Sequence, residues 1–214
     1  SEFSLSNYCM MRERDICQMT AIPVFVNRGF RHGIIWVRKD SNLNSITDLE
    51  NSKVGIKEYS QTAAVWLRGI LLEEYDLHWS SIYWYANKTQ RFIPPTEANV
   101  KLISGDPEEL LINGELDAYV APRPLDLKKP PKDRVLRPLI NNYAEVEKKY
   151  FETSGIYPIN HCVMIHHDVI TKYPELGYSI FKAYSKSKEK ALKRKLGATL
   201  LPCVDRQWSE INEL

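Results

Sequence analysis

GIKEYSQTAAVWLRG, residues 55–69, is the stretch that decides how the rest of the chain is read. It begins as the end of an apolar strand, Val54-Gly55-Ile56, and turns through Glu58-Tyr59-Ser60-Gln61-Thr62. It then continues as a nearly all-apolar helix through Ala63-Ala64-Val65-Trp66-Leu67 and on to Ile70-Leu71-Leu72. Ser60 or Thr62 can cap that helix by accepting a hydrogen bond from a first-turn amide. The other first-turn amides point outward and carry the positive end of the helix dipole, so the turn suits a carboxylate or phosphate. A strand-to-helix turn closed by its own hydroxyl accounts for the same residues without any ligand.

Outward from this turn the chain alternates strand and helix. Upstream, residues 4–19 read as helical, and residues 20–25 as a short apolar strand whose Pro23 suits an edge or an end. Residues 34–37 (IIWV) read as a buried strand, and Thr47-Asp48-Leu49-Glu50 has the form of a capping box on a short helix. Downstream, residues 81–85 (SIYWY) form an aromatic strand, residues 86–99 a polar loop, and residues 100–103 a further strand. Asp106-Pro107-Glu108-Glu109 marks a helix start, ended at Asn113-Gly114 and followed by a strand over residues 116–121. Residues 122–134 hold four prolines and five basic residues and read as a connection between lobes. A charged helix over residues 141–153, a loop at 155–161, a buried strand at 162–165 and a helix from Asp168 to about Leu196, broken near Pro174, complete the pattern. In that last helix Phe181, Tyr184 and Leu192 are expected to turn inward. Alternation of this kind means an α/β architecture with a largely parallel sheet.

Composition excludes several classes of function. Hydrophobic residues make up 43% and charged residues 26%, and 29 basic against 27 acidic residues leave a net charge of +2. Nothing in that balance favours nucleic acid or an anionic membrane, and no apolar run reaches the ~18–20 residues of a membrane span. Cys9, Cys17, Cys162 and Cys203 show no CxxC spacing. They read as reduced thiols in a reducing compartment, which gives a cytoplasmic expectation.

Two clusters carry chemistry besides the central turn. Arg28, Arg31 and His32 lie within five residues of one loop, and two guanidiniums can grip carboxylates in a bidentate way. Surface pairing with Asp or Glu is the commoner fate of a single arginine. His161 sits in a loop before a buried strand, where α/β folds gather ligands, and imidazole exchanges protons near neutrality; a histidine satisfied by backbone fits there equally. Glu58 is a candidate base beside the central turn, and Tyr59, Tyr83, Trp84, Tyr119 and Tyr157 are candidate walls for a flat ring, most of them expected in the core. His161, His166 and Asp168 do not match a zinc spacing, and no Walker, GxGxxG, GxSxG or HExxH motif occurs.

The opening SEFSLSNY, then RGFRHGIIWVRKDS, TDLENSKVGIKEYSQTAAVWLRGILLEEY, GELDAYVAPRP and TSGIYPINHCVMIHHDVITKYPEL resemble 4,5-dihydroxyphthalate decarboxylase. That family is similar in fold to the type 2 periplasmic solute-binding proteins. Asn160 departs from the pattern, standing where an apolar residue is expected, and residues 87–99 have no counterpart. The resemblance implies an α/β, two-lobed fold whose first lobe is expected to be incomplete at its N-terminus. It gives residues 1–37 and 140–214 to the first lobe, 45–121 to the second, and 38–44 and 122–139 to crossing segments. It further implies that Ser4, Ser6, Arg28, Arg31, His32, Tyr59, Gln61, Thr62, Arg123, Tyr157 and His161 face an interlobe cleft. The implied activity is decarboxylation of a hydroxylated, phthalate-like aromatic acid, a small-molecule partner. That chemistry requires no metal and no organic cofactor. His161 or His32 would act as the acid, and the other, or Glu58, as the base. The same fold equally allows a solute-binding protein that captures a small organic anion for a transporter or sensor, with a periplasmic location.

Overall fold

A computed structural model of the chain describes residues 1–196, with side chains through residue 194. The strands are β1 (Glu2–Ser4), β2 (Met19–Arg28), β3 (Ile35–Arg38), β4 (Lys53–Ile56), β5 (Tyr83–Asn87), β6 (Val100–Ile103), β7 (Ala118–Val120), β8 (Leu136–Pro138) and β9 (Ile159–His166). The helices are α1 (Leu5–Glu13), α2 (Thr62–Tyr75), α3 (Pro107–Ile112), α4 (Tyr143–Ser154), α5 (His167–Lys172) and α6 (Leu176–Leu196). None of the described helices is long and apolar enough to cross a membrane.

Six strands form one sheet in the order β6-β5-β4-β7-β3-β8. β4 pairs in parallel with β5 and β7, and β5 with β6, while β3 runs antiparallel to β7 and β8. Alternation along each strand divides the core between the two faces. Ile35, Val37, Val54, Ile56 and Val120 face α2, where Leu67 and Leu71 are wholly buried. Trp36 and Tyr119 face the other way, onto Leu111 and Leu116. Gly55 lets α3 come close to the sheet: a Cβ there would lie 2.8 Å from Leu116 Cδ1 and 2.9 Å from Pro107 Cβ.

β1, β9 and β2 form a second, antiparallel sheet with β9 at its centre. Its face of Ile22, Val24, Val163 and Ile165 packs on Ile170, Leu176 and Ile180 of α5 and α6. β2 lies at an edge, so Pro23 costs no sheet hydrogen bond on its outer side. The two sheets are tied where α1 meets α2 and where the Trp66 indole N–H donates to the Ile159 carbonyl (2.9 Å).

Several local expectations need correction. Residues 35–38 join the six-stranded sheet, although the segment 1–37 was expected in the other lobe. Residues 136–138, expected in a crossing, pair with them as β8. The reason is that β3 is buried on both faces and needs a strand on each side to satisfy its backbone. Thr47 does not cap the turn Thr47–Leu49; the Asp48 carboxylate instead accepts from the Asn44 and Ser45 amides (2.8 and 2.9 Å). The residue that caps α2 by position is Gln61, with no side-chain cap, because both nearby hydroxyls are engaged elsewhere. Phe181 and Tyr184 stay substantially exposed. The break near Pro174 and the cap of α3 by Asp106, which accepts from the Glu108 amide (2.8 Å), are as expected.

Candidate functional site

A cleft of about 1260 Å³ opens between the two sheets. The three-stranded side presents Glu2, Ser4, Arg31, Asn160 and His161, and the other side presents Glu58, Gln61, Thr62 and Arg123. Strand register explains the first group. Ser4 lies opposite His161 in the β1–β9 pair, and Glu2, two residues away, shares its face. The Glu2 carboxylate thereby reaches His161, with Oε1 2.6 Å from Nδ1. A carboxylate on Nδ1 fixes the ring's orientation, leaving Nε2 for other work.

On the facing wall the start of α2 is held by hydroxyls. Thr62 Oγ1 lies 2.7 Å from Ser4 Oγ and 3.1 Å from Ser6 Oγ, and accepts from the Ser6 amide (3.1 Å). The Ser6 hydroxyl donates to the Ser60 carbonyl (2.7 Å), and the Ser60 hydroxyl to Glu58 Oε1 (2.6 Å). These bonds clamp α1 to α2 and use the hydroxyls the sequence suggested as caps. The amides of Thr62 and Ala63 have no acceptor among the described residues. They supply the anion-seeking end of a 14-residue helix.

Arg31 is the buried cation of the cleft, only 8% exposed. Its Nε donates to Asn160 Oδ1 (2.9 Å). Burial lowers its pKa, and the nearby Glu147 and Tyr157 act in the opposite direction. Glu147 stands on the same wall and accepts from the Gly33 amide (3.1 Å).

The other expected site residues lie elsewhere. Arg28 points outward, donating to the Tyr157 carbonyl (2.8 Å) and stacking 4.5 Å from the Tyr157 ring centre, so these two residues occupy each other outside the cleft. His32 is 1% exposed and packs 5.2 Å from the Tyr150 ring, because the turn after Arg31 sends the next side chain under α4. Burial pushes its pKa down to about 4, and its Nδ1 has no partner, which makes it a neutral core residue. Tyr59 is 5% exposed beneath the Arg68 guanidinium, 3.8 Å from its ring centre. Burial raises its phenol pKa, with Arg68 opposing. Ser6 serves the α1–α2 clamp and does not line the cleft. Ser4, Arg31, Glu58, Gln61, Thr62, Arg123 and His161 are therefore brought together, and Ser6, Arg28, His32, Tyr59 and Tyr157 are not.

Glu2, Asn160 and Arg91 line the cleft without having been expected there. Period-two alternation from Ser4 could have flagged Glu2. Arg91 comes from the loop after β5 and reaches the Phe3 ring, 5.3 Å from its centre. No group of three His, Cys, Asp or Glu side chains among the described residues gathers as a metal site would require.

The chain is 30% identical over 203 residues to a 4,5-dihydroxyphthalate decarboxylase of Comamonas testosteroni, an alignment covering 90% of this chain and 61% of that protein. In sequence the chain is similar to a 4,5-dihydroxyphthalate decarboxylase. A second such enzyme, from Pseudomonas putida, is 33% identical over 133 residues, covering 57% of this chain and 51% of its own length. The chain thus spans a little over half the length of the curated proteins it matches. No family model matches it. Among solved structures it is similar to the periplasmic aliphatic sulphonate binding protein SsuA of Escherichia coli (TM-score 0.54, 12% identity), covering 92% of this chain and 57% of that one. The alkanesulfonate-binding SsuA of Xanthomonas axonopodis pv. citri gives a TM-score of 0.53, also at 12% identity, over 92% of this chain and 57% of that one. At that identity the likeness concerns fold alone: the chain has the type 2 periplasmic-binding-protein architecture.

Proposed function

We propose that the cleft decarboxylates a hydroxylated aromatic carboxylic acid of the phthalate class. The observation that carries the reading is the His161–Glu2 pair, set on the same cleft as Arg31 and the free amides of α2 in a relative of 4,5-dihydroxyphthalate decarboxylases. A hydroxyl para to the departing carboxylate lets the ring carbon accept a proton before carbon dioxide is lost. Protonated His161, supported by Glu2, delivers that proton to the carbon bearing the departing carboxylate. The hydroxyl para to that carbon releases its proton, with Glu58 as the candidate acceptor, and the ring becomes a dienone. The carbon–carboxylate bond then breaks, its electron pair restores aromaticity, and the ring oxygen takes back a proton. Net change is one proton consumed and one carbon dioxide released. Arg31, Arg123 and the Thr62–Ala63 amides hold the carboxylate that remains, which fixes the ring for the transfer.

The test incubates full-length protein with 4,5-dihydroxyphthalate and follows both carbon dioxide and 3,4-dihydroxybenzoate. Stoichiometric release of the two supports the reading. Tight binding with neither product replaces it with anion capture, for which donors suffice and an acid–base pair is unnecessary.

A further inference from the structure

Asn160 occupies an unusual place in the sheet. Asn27 pairs with His161 and Arg28 with Ile159, so β2 advances one residue while β9 advances two. Asn160 is therefore the extra residue of a bulge on β9, a device that turns a side chain out of the strand's regular alternation. The turn delivers its amide to the buried base of the cleft wall, where it is 2% exposed. Its Oδ1 accepts from Arg31 Nε (2.9 Å), while its Nδ2 donates to Asn27 Oδ1 (3.3 Å) and faces the Gly29 carbonyl at 3.5 Å. Two acceptors on the nitrogen side fix the amide with its oxygen toward the guanidinium.

From this arrangement we infer that Asn160 is a positioning residue which aims the Arg31 fork at a substrate carboxylate without neutralising it. The inference rests on reading the cleft as the site of an aromatic acid, and it identifies the substrate's second carboxylate as the group recognised. Three partner chemistries are possible at residue 160, and they have different consequences. An apolar side chain would leave the Arg31 Nε–H buried without an acceptor. A carboxylate would satisfy the N–H but would cancel the charge that draws the anion. A neutral amide satisfies Nε, adds no negative charge to that of the nearby Glu147, and leaves both Nη groups, with their four N–H donors, for a bidentate grip on a carboxylate. Asn27 completes the chain from the strand end, so the guanidinium is held through two amides anchored on two strands.

Calorimetric titration with phthalate, an inert aromatic dicarboxylate, tests this on the full-length protein. Asn160→Leu and Asn160→Asp are each expected to weaken phthalate binding about tenfold or more, the first by losing Arg31's orientation and the second by losing its charge. In an Arg31→Gln background either substitution is expected to cost less than about twofold, because its target has gone. A residue that merely supports the fold would weaken binding equally in both backgrounds, and that result overturns the inference. So does parent-like phthalate affinity in either single variant, or failure of the parent to bind phthalate. If Asn160→Leu does not fold, the Asn160→Asp arm decides alone. Phthalate binding that follows the expected pattern, with no carbon dioxide from 4,5-dihydroxyphthalate, would overturn the decarboxylase reading and leave this inference standing.

Discussion

His32→Leu should remove a defined part of the protein's acid sensitivity. In the folded chain the imidazole is 1% exposed, has no partner for Nδ1, and is pushed by burial from the usual 6.5 to about 4. Unfolding exposes it and restores the ordinary value, so between those two pH values the unfolded chain binds a proton that the folded chain refuses. Stability from this group is complete above about pH 6.5, falls as pH drops toward 4, and levels off below that. Linkage puts the loss at about 2 kcal/mol between pH 7.5 and pH 5, approaching ~3 kcal/mol at the plateau. Urea unfolding at the two pH values measures it, read as the change in midpoint times slope. Packing differences between leucine and histidine shift both values alike and cancel in the comparison. The variant should lose about 2 kcal/mol less stability than the parent on going from pH 7.5 to pH 5. Parallel pH dependences in the two proteins would refute the placement of His32 as a buried neutral residue.

Asp126→Ala should destabilise by about 2–4 kcal/mol in urea unfolding, because the wholly buried carboxylate accepts from the Val135 and Leu136 amides (3.0 and 2.9 Å) and both would be left without a partner. Thr62→Val keeps the shape but breaks the hydroxyl cluster with Ser4 and Ser6; a loss of about 1–3 kcal/mol is expected, and an unchanged melting curve would count against the α1–α2 clamp. Gly33→Ala would place a Cβ 2.6 Å from the Tyr143 ring, so the Tyr143 side chain or α4 must shift at the cleft wall. The expected readout is weaker phthalate binding together with a lower melting temperature, and parent-like values of both would contradict the close packing there.

Much of the fold is legible because its signals are local. Pro174 breaks the last helix, Asp106 and Pro107 start α3, and the apolar runs of β3 and β4 announce buried strands. Sheet membership is less legible. Nothing in IIWV says which sheet will take it, since both offered apolar faces, and only long-range pairing with β7 and β8 decides. The candidate site divides along the same line. Arg31 and the Gln61–Thr62 turn could be found from residue type and position. Arg28, His32 and Tyr59 could not be separated from them, because neighbouring residues in a short loop point in different directions and only packing shows which. Arg28 stacks on Tyr157 outside, His32 goes under α4, and Tyr59 lies beneath Arg68. Hydroxyls that resemble helix caps became the clamp between α1 and α2, a choice settled by Ser4 and Ser6 arriving from 56 or more residues away. Glu2 and Asn160 acquire meaning only through the register of β9, one by alternation and the other by a bulge.

The central claim is that His161, backed by Glu2, transfers the proton that drives loss of carbon dioxide. Steady-state release of carbon dioxide from 4,5-dihydroxyphthalate by the full-length parent, His161→Ala and Glu2→Gln proteins tests it most directly. The account expects His161→Ala to lower kcat by about 10²–10⁴-fold and Glu2→Gln to lower it by less, with melting temperatures unchanged. Carbon dioxide release by His161→Ala at the parent rate would contradict it.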